Sequence, residues 1–181
     1  MEGYIRFDRF NDLETSLEQL LAQIQGAPMT ATCWKWSLIA AHSALQGAVC
    51  IALRGSAGFD TWKPSHLKKW LAAYENSEEL PDSQLDFFME LFDKLFGKES
   101  GINRDLISWL NESRNKFIHF NTDHLSIERE SIVSAIEESV TAIIEAPTRS
   151  QGNFFYEEQQ PQRFEVLCQS IRARLKILAD T

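Results

Sequence analysis

The chain has 181 residues, of which 44% are hydrophobic and 11% aromatic. At roughly 150 residues per domain, this length predicts a single domain over residues 1–181, and the apolar content is sufficient for a buried core, which excludes a largely disordered protein. The formal net charge is −8 at pH 7. Such a charge repels polyanions and excludes a broad nucleic-acid clamp, so any RNA must bind at a local patch.

The chain contains three widely separated cysteines, Cys33, Cys50 and Cys168. They lack the close spacing of a zinc site or a disulfide framework, and the N-terminal stretch MEGYIRFDRF lacks the apolar core of a signal peptide. We therefore expect a cytoplasmic protein. The apolar stretch 37–53 is interrupted by His42 and Gln46 and is shorter than the roughly 20 residues of a membrane span, so no membrane association is expected.

Apolar residues recur at helical spacing along most of the chain and predict an all-α protein. Asn11 and Asp12 are candidate caps of the first helix, Ser126 is a candidate cap of the sixth, and Gly97 is placed to end the fourth. No segment has the pattern of a strand, so the expected architecture is an up-and-down helical bundle. The predicted helices cover residues 12–24, 30–54, 62–75, 84–96, 102–120, 127–146 and 163–179.

Several common functional motifs are absent from the sequence. It has no glycine-rich phosphate loop, no HExxH or Glu-x-x-His pair, no cysteine and histidine cluster at ligand spacing, and no GxSxG elbow. We therefore expect no cofactor and no intrinsic metal ion, and no hydrolase triad of the usual kind.

The stretch 109–121, WLNESRNKFIHFN, carries the most informative polar residues, Arg114, Asn115 and His119. Arginine keeps its charge and offers planar donors that suit phosphate oxygens, while histidine exchanges protons near neutral pH. A neutral His119 can take the proton of a ribose 2′-hydroxyl, and Arg114 can stabilise the charge that builds on the phosphate. Asn115 is a candidate substrate-binding residue that orients the phosphate or the histidine.

The spacing of these residues constrains how they act together. On an ideal helix, Arg114 and His119 are separated by about 140°, whereas Asn115 and His119 share a face. Either the helix ends before His119, or two copies of the site meet across a two-fold axis and each supplies part of it. We expect both.

The motif Arg114, Asn115, then 116–118 and His119 resembles the signature of the HEPN (higher eukaryotes and prokaryotes nucleotide-binding) superfamily, in which four to six residues separate Arg and His. The long apolar helix WKWSLIAAHSALQGAVCIAL is similar to an early helix of such domains. The resemblance covers about residues 30–146, with the first and last helices as additions. It implies a HEPN-like bundle, a homodimer, and metal-independent RNA cleavage by Arg114 and His119 at the dimer cleft.

The resemblance also implies a role in toxin–antitoxin or defence systems, with a regulatory protein as a candidate partner. In the toxin subgroup, a tyrosine two residues after the histidine is modified by a partner nucleotidyltransferase. Position 121 is Asn, so the resemblance does not extend to that modification. Many members of the superfamily bind without catalysing, so a non-catalytic module for RNA, a nucleotide or a protein is the alternative.

The polar residues discussed above, and the stretch 62–70, also have simpler structural interpretations. Arg114 can pair with a neighbouring carboxylate while His119 faces the negative end of the helix dipole. His42 and Gln46 are most simply core polar residues, although they could border a cleft. The basic and aromatic stretch 62–70 is either a solvated helix face with inward tryptophans or a surface that stacks bases.

Overall fold

The computed structural model describes residues 3–26, 29–54, 58–97, 100–121 and 123–180. Within these ranges the chain forms seven α-helices and two short 3-10 turns, and its only β pairing is one isolated antiparallel bridge. The prediction of an all-α protein is therefore confirmed. The helices are α1 (Arg9–Gln25), α2 (Ala31–Leu53), α3 (Pro64–Glu75), α4 (Phe88–Phe96), α5 (Arg104–Ile118), α6 (Arg129–Glu145) and α7 (Gln160–Ala179).

The long helix α2 lies at the centre of the bundle. It packs against α1 along much of its length and also contacts α4, α5 and α6, while α7 packs against α1 and α6. The first and last helices therefore belong to the same packed assembly as the rest. Their side chains enter one continuous apolar core, and burial of apolar surface is the main source of stability.

Helix α2 is long and apolar enough to cross a membrane by length and composition alone. In this structure, 67% of its most apolar stretch is buried inside the bundle. Apolar residues on nearly every side of a helix are also what burial by several neighbours requires.

Two helix starts differ from the predicted caps. Asp8 caps α1, because its side chain accepts a hydrogen bond from the backbone N–H of Asn11, so α1 begins before the predicted caps. Helix α6 begins at Arg129 after Glu128, and Ser126 lies outside it. Side chains that can cap a helix are common in polar segments. Composition therefore identifies the segment in which a helix starts better than it identifies the capping residue.

Helix α4 is shorter than predicted. It begins at Phe88, because residue 85 belongs to an extended segment in which Leu85 forms an antiparallel bridge with Trp62. Leu85 and Phe87 consequently lie on the surface, with 43% and 68% of their area exposed. The predicted end is confirmed: Gly97 follows the last turn with a φ of 63°, a conformation that glycine adopts without strain.

Two elements determine the surroundings of the candidate site. Helix α5 packs against α6 and α2 through its buried residues Ile107, Leu110 and Ser113. Helix α3 is peripheral, since within the described ranges it makes only a few contacts with other helices and buries only Ala73. The core therefore holds α5 from Ile107 to Ser113, and the residues after Ser113 are half-buried or exposed.

Candidate functional site

Arg114 and Asn115 lie near the C-terminal end of α5, directly after the buried Ser113. Both side chains are half-buried. The Nη1 atom of Arg114 donates a hydrogen bond to Oδ1 of Asn115 at 2.9 Å. Asn115, a neutral partner, therefore holds the guanidinium of Arg114 in one orientation.

The guanidinium of Arg114 has unused hydrogen-bonding capacity. Its Nε atom is buried and has no hydrogen-bond partner among the described residues. Within the same part of the chain, no carboxylate oxygen lies within 4.0 Å of the group. The pairing with a carboxylate that a structural role would favour is therefore not seen, and a buried donor without a partner is costly.

His119 terminates α5. The helix ends at Ile118, and His119 occupies the capping position with φ −105° and ψ 46°, while its backbone N–H donates to the carbonyl oxygen of Asn115 at 2.9 Å. Its side chain is exposed. The helix thus ends before His119, as one of the two predicted solutions requires.

The structure brings two of the three predicted residues together. Arg114 and Asn115 are hydrogen bonded, whereas the imidazole of His119 makes no hydrogen bond to either of them in the described part of the chain.

A histidine on α2 lies next to these residues and was not included among the predicted site residues. His42 is only 2% exposed, and its Nε2 atom lies 2.9 Å from Oδ1 of Asn111 on α5. Because an amide oxygen accepts, Nε2 carries the proton and donates. The other ring nitrogen, Nδ1, is buried and has no partner among the described residues.

His42 is neutral at pH 7. Burial lowers its pKa from the ordinary value of 6.5 to about 4, while the hydrogen bond to Asn111 acts in the opposite direction and the nearby charge of Arg114 lowers the pKa further. Arg114 is thus the lone charged group of the set formed by His42, Asn111, Arg114 and Asn115, here called the polar cluster. A low-dielectric site with one fixed positive charge favours an anionic ligand.

Two sequence signals could have indicated the wider cluster. His42 is a polar residue in an otherwise apolar helix, and Asn111 precedes Asn115 by one helical turn. Residues four apart share a helix face, so Asn111, Asn115 and His119 form a row along α5. The contact between His42 and Asn111 spans 69 positions of sequence and depends on how α2 and α5 pack.

A cavity of about 250 Å³ borders α5 at Trp109, Ser113 and Lys116, and none of the three predicted site residues lines it. A cavity of about 580 Å³ lies between α6 and α7, and its lining contains none of the three predicted site residues. In the described ranges, no group of three or more histidine, cysteine or acidic side chains is arranged to hold a metal ion.

Comparisons with protein-family models, curated proteins and solved structures find no match for this chain. The resemblance to the HEPN superfamily therefore depends on the Arg114 to His119 motif and its helical setting. Functional inference has to proceed from the chemistry of the polar cluster and of His119.

Proposed function

We propose that this protein cleaves RNA without a metal ion, with Arg114 binding the scissile phosphate and His119 acting as acid and base. The observation that carries the proposal is the state of Arg114, whose guanidinium is fixed by the neutral Asn115 and whose Nε lacks a partner among the described residues. A cation held by an amide keeps its charge for an incoming anion. Phosphate oxygens accept hydrogen bonds from such planar donors in pairs.

The proposed reaction uses the substrate's own nucleophile. Neutral His119 removes the proton of the ribose 2′-hydroxyl, O2′ attacks the phosphorus, and the bond from phosphorus to O5′ breaks. The imidazolium returns the proton to the leaving O5′. Arg114 stabilises the negative charge on the phosphate oxygens in the transition state. The products are a 2′,3′-cyclic phosphate and a 5′-hydroxyl end.

The proposal includes a homodimer in which Arg114 of one chain and His119 of the other face the same phosphate. Two apolar side chains flank His119, and Ile118 and Phe120 are 47% and 53% exposed. A second copy packed on this end of α5 would cover them and would bring a second Arg114 close to His119. In such a dimer, His119 of one chain would act on a phosphate bound by Arg114 of the other.

A non-catalytic HEPN-like module that binds RNA or a regulatory protein is the second candidate. It is favoured by the position of the His119 imidazole, which makes no hydrogen bond to Arg114 or Asn115 within the described part of one chain. In this case the polar cluster binds a phosphate, and His119 contributes nothing to a reaction.

The two candidates are distinguished by RNA cleavage in the presence of EDTA. We expect wild-type protein to cut a mixed RNA pool, His119→Ala to lose about 10²- to 10⁴-fold in rate, and Arg114→Ala about 10²- to 10³-fold. Lys116→Ala is the matched control, because Lys116 is an exposed residue of the same helix. Absence of cleavage by wild-type protein, or equal cleavage by all variants, would leave the binding module as the better account.

A further inference from the structure

The surface formed by residues 62–74 and Phe87, here called the α3 platform, differs in charge from the rest of the protein. Residues 62–74 include three lysines and no acidic residue, in a chain with a net charge of −8. Lys68 and Lys69 are exposed. A local positive patch on an acidic protein attracts an anionic ligand to one place and leaves the rest of the surface repulsive to it.

Aromatic rings form a row along the platform. Trp62, His66, Trp70 and Tyr74 recur every four residues. The rings of Trp62 and Trp70 are 5.8 Å apart edge to face, and those of Trp70 and Tyr74 are stacked at 5.5 Å with an interplanar angle of 6°. Tyr74 ends the row with 65% of its area exposed, which leaves ring surface open to solvent.

A second exposed ring stands beside the row. Phe87 is 68% exposed, and the Nζ atom of Lys63 lies 4.6 Å from its ring centroid. Backbone hydrogen bonds from Lys63 to Gln84 and from Asp86 to Thr61, each 3.0 Å, fix this segment against the start of α3. The platform therefore presents two exposed rings together with exposed or half-buried lysines on a fixed backbone.

The platform is anchored to the core of the bundle at Phe88. Phe88 follows Phe87 directly, and its ring centroid lies 4.5 Å from that of His42. His42 in turn contacts Asn111 on α5. Phe88 and His42 are both buried, so this link fixes the backbone at Phe87 relative to α2 and α5 through the core of the bundle.

We propose that the α3 platform binds single-stranded RNA, an inference that rests on the proposed function because RNA is the substrate there. Every base offers a flat face to an aromatic ring, and lysines contact the phosphates between bases. Double-stranded RNA hides its bases and would gain nothing from Tyr74 and Phe87. The platform thus selects unpaired RNA without reading its sequence.

Binding can be measured separately from cleavage with a fluorescent 2′-O-methyl oligouridylate, which lacks the nucleophile of the proposed reaction. We expect Tyr74→Ala and Phe87→Ala each to weaken binding by about 5- to 100-fold, because base stacking contributes on this scale. Tyr4→Ala is the matched control, because Tyr4 is 94% exposed and lies outside the platform. It should bind as wild-type protein does.

The salt dependence of RNA binding distinguishes phosphate contacts made by the lysines from base stacking on the aromatic rings. Lys69→Gln should reduce the slope of log K against log salt by about 0.7, the value for one lost phosphate contact with a single strand, whereas Tyr74→Ala should leave the slope unchanged. Lys176→Gln, at an exposed position of α7, is the control for lost charge. An unchanged slope in Lys69→Gln would contradict a phosphate contact at this position.

The outcomes also separate this inference from the proposed function. His119→Ala should bind the methylated RNA as wild-type protein does and yet fail to cleave RNA, which tests the catalytic role of His119 separately from RNA binding. If Tyr74→Ala and Phe87→Ala bind like Tyr4→Ala, the platform is not the RNA surface, whatever the cleavage result. If they instead dissociate a dimer in sedimentation and leave RNA binding unchanged, the platform is a protein interface and the inference is wrong.

Discussion

The polar cluster joins two helices through side chains that are not fully hydrogen bonded. His42 and Arg114 each bury a nitrogen without a partner among the described residues, and such a group costs about 1–3 kcal/mol. Asn111 and Asn115, one turn apart on α5, each accept a bond from one of these two side chains. Because the Nε of Arg114 is buried, a phosphate would reach it only if the side chain turned, and such binding would recover part of this cost.

The buried His42 makes stability depend on pH. Its pKa falls from 6.5 to about 4 on folding, chiefly because it is buried. As the pH falls below 6.5, the unfolded chain takes up a proton that the folded chain does not, so stability is complete above about pH 6.5 and is lost toward pH 4. The loss from this one group is about 3 kcal/mol.

Urea unfolding at pH 7 and pH 4 measures this effect. His42→Gln can keep a hydrogen bond to Asn111 but cannot titrate, so its unfolding free energy should fall by about 3 kcal/mol less than that of wild-type protein over this interval. Other titrating groups are common to both proteins and cancel in the difference. An equal fall in both proteins would mean that His42 is not buried in its neutral form.

The sequence predicts some site residues far better than others. Arg114, Asn115 and His119 are candidates from a short local pattern, and the end of α5 before His119 is one of the two solutions that helix geometry left open. His42 belongs beside them only because α2 and α5 pack together, and a helical pattern does not specify which residue of a neighbouring helix it meets. The orientation of Arg114 by Asn115 likewise depends on rotamers that the pattern leaves open.

At the level of elements, helical periodicity predicts where helices lie but not where each one starts or which apolar residues are buried. Each of the seven predicted segments overlaps one observed helix, because their apolar faces recur at 3.6-residue spacing, although α1 and α7 begin three residues before the predicted starts. The predicted start of α4 is wrong because Leu85 and Phe87 continue the apolar pattern although they lie on the surface, where Leu85 pairs with Trp62. Apolar character predicts burial only when a neighbouring element covers the residue.

Helix α3 should be the least stable helix of the described chain. It makes few contacts with other helices and buries only Ala73, whereas α2 is buried by several neighbours. Amide hydrogens of α3 should therefore exchange through local opening, well before those of α2. Hydrogen-exchange mass spectrometry on peptides from residues 64–75 and 31–53 tests this, and equal protection of both would show that α3 unfolds only with the bundle.

For the whole molecule, a net charge of −8 means that RNA binding must be local. The proposed dimer would supply a local site by bringing two α5 ends together, and the proposed α3 platform would be a second place that holds RNA. The acidic remainder of the surface would repel RNA that is not held at these places, which favours release of the cut product.

A shared site predicts complementation between inactive chains. Arg114→Ala and His119→Ala are each expected to be inactive, but in a mixed dimer the intact Arg114 of one chain meets the intact His119 of the other. Random mixing should restore about one quarter of wild-type activity, because half of the dimers are mixed and each has one complete site. No recovery after verified subunit exchange would place both residues of each site in the same chain.

The most direct test of the proposed chemistry is the identity of the RNA ends produced in EDTA. Mass spectrometry of the fragments should show 2′,3′-cyclic phosphates and 5′-hydroxyls with wild-type protein, and these fragments should be lost with His119→Ala, because attack by the 2′-hydroxyl produces no other pair of ends. Fragments with 3′-hydroxyl and 5′-phosphate ends, or fragments formed equally by His119→Ala, would contradict cleavage by Arg114 and His119.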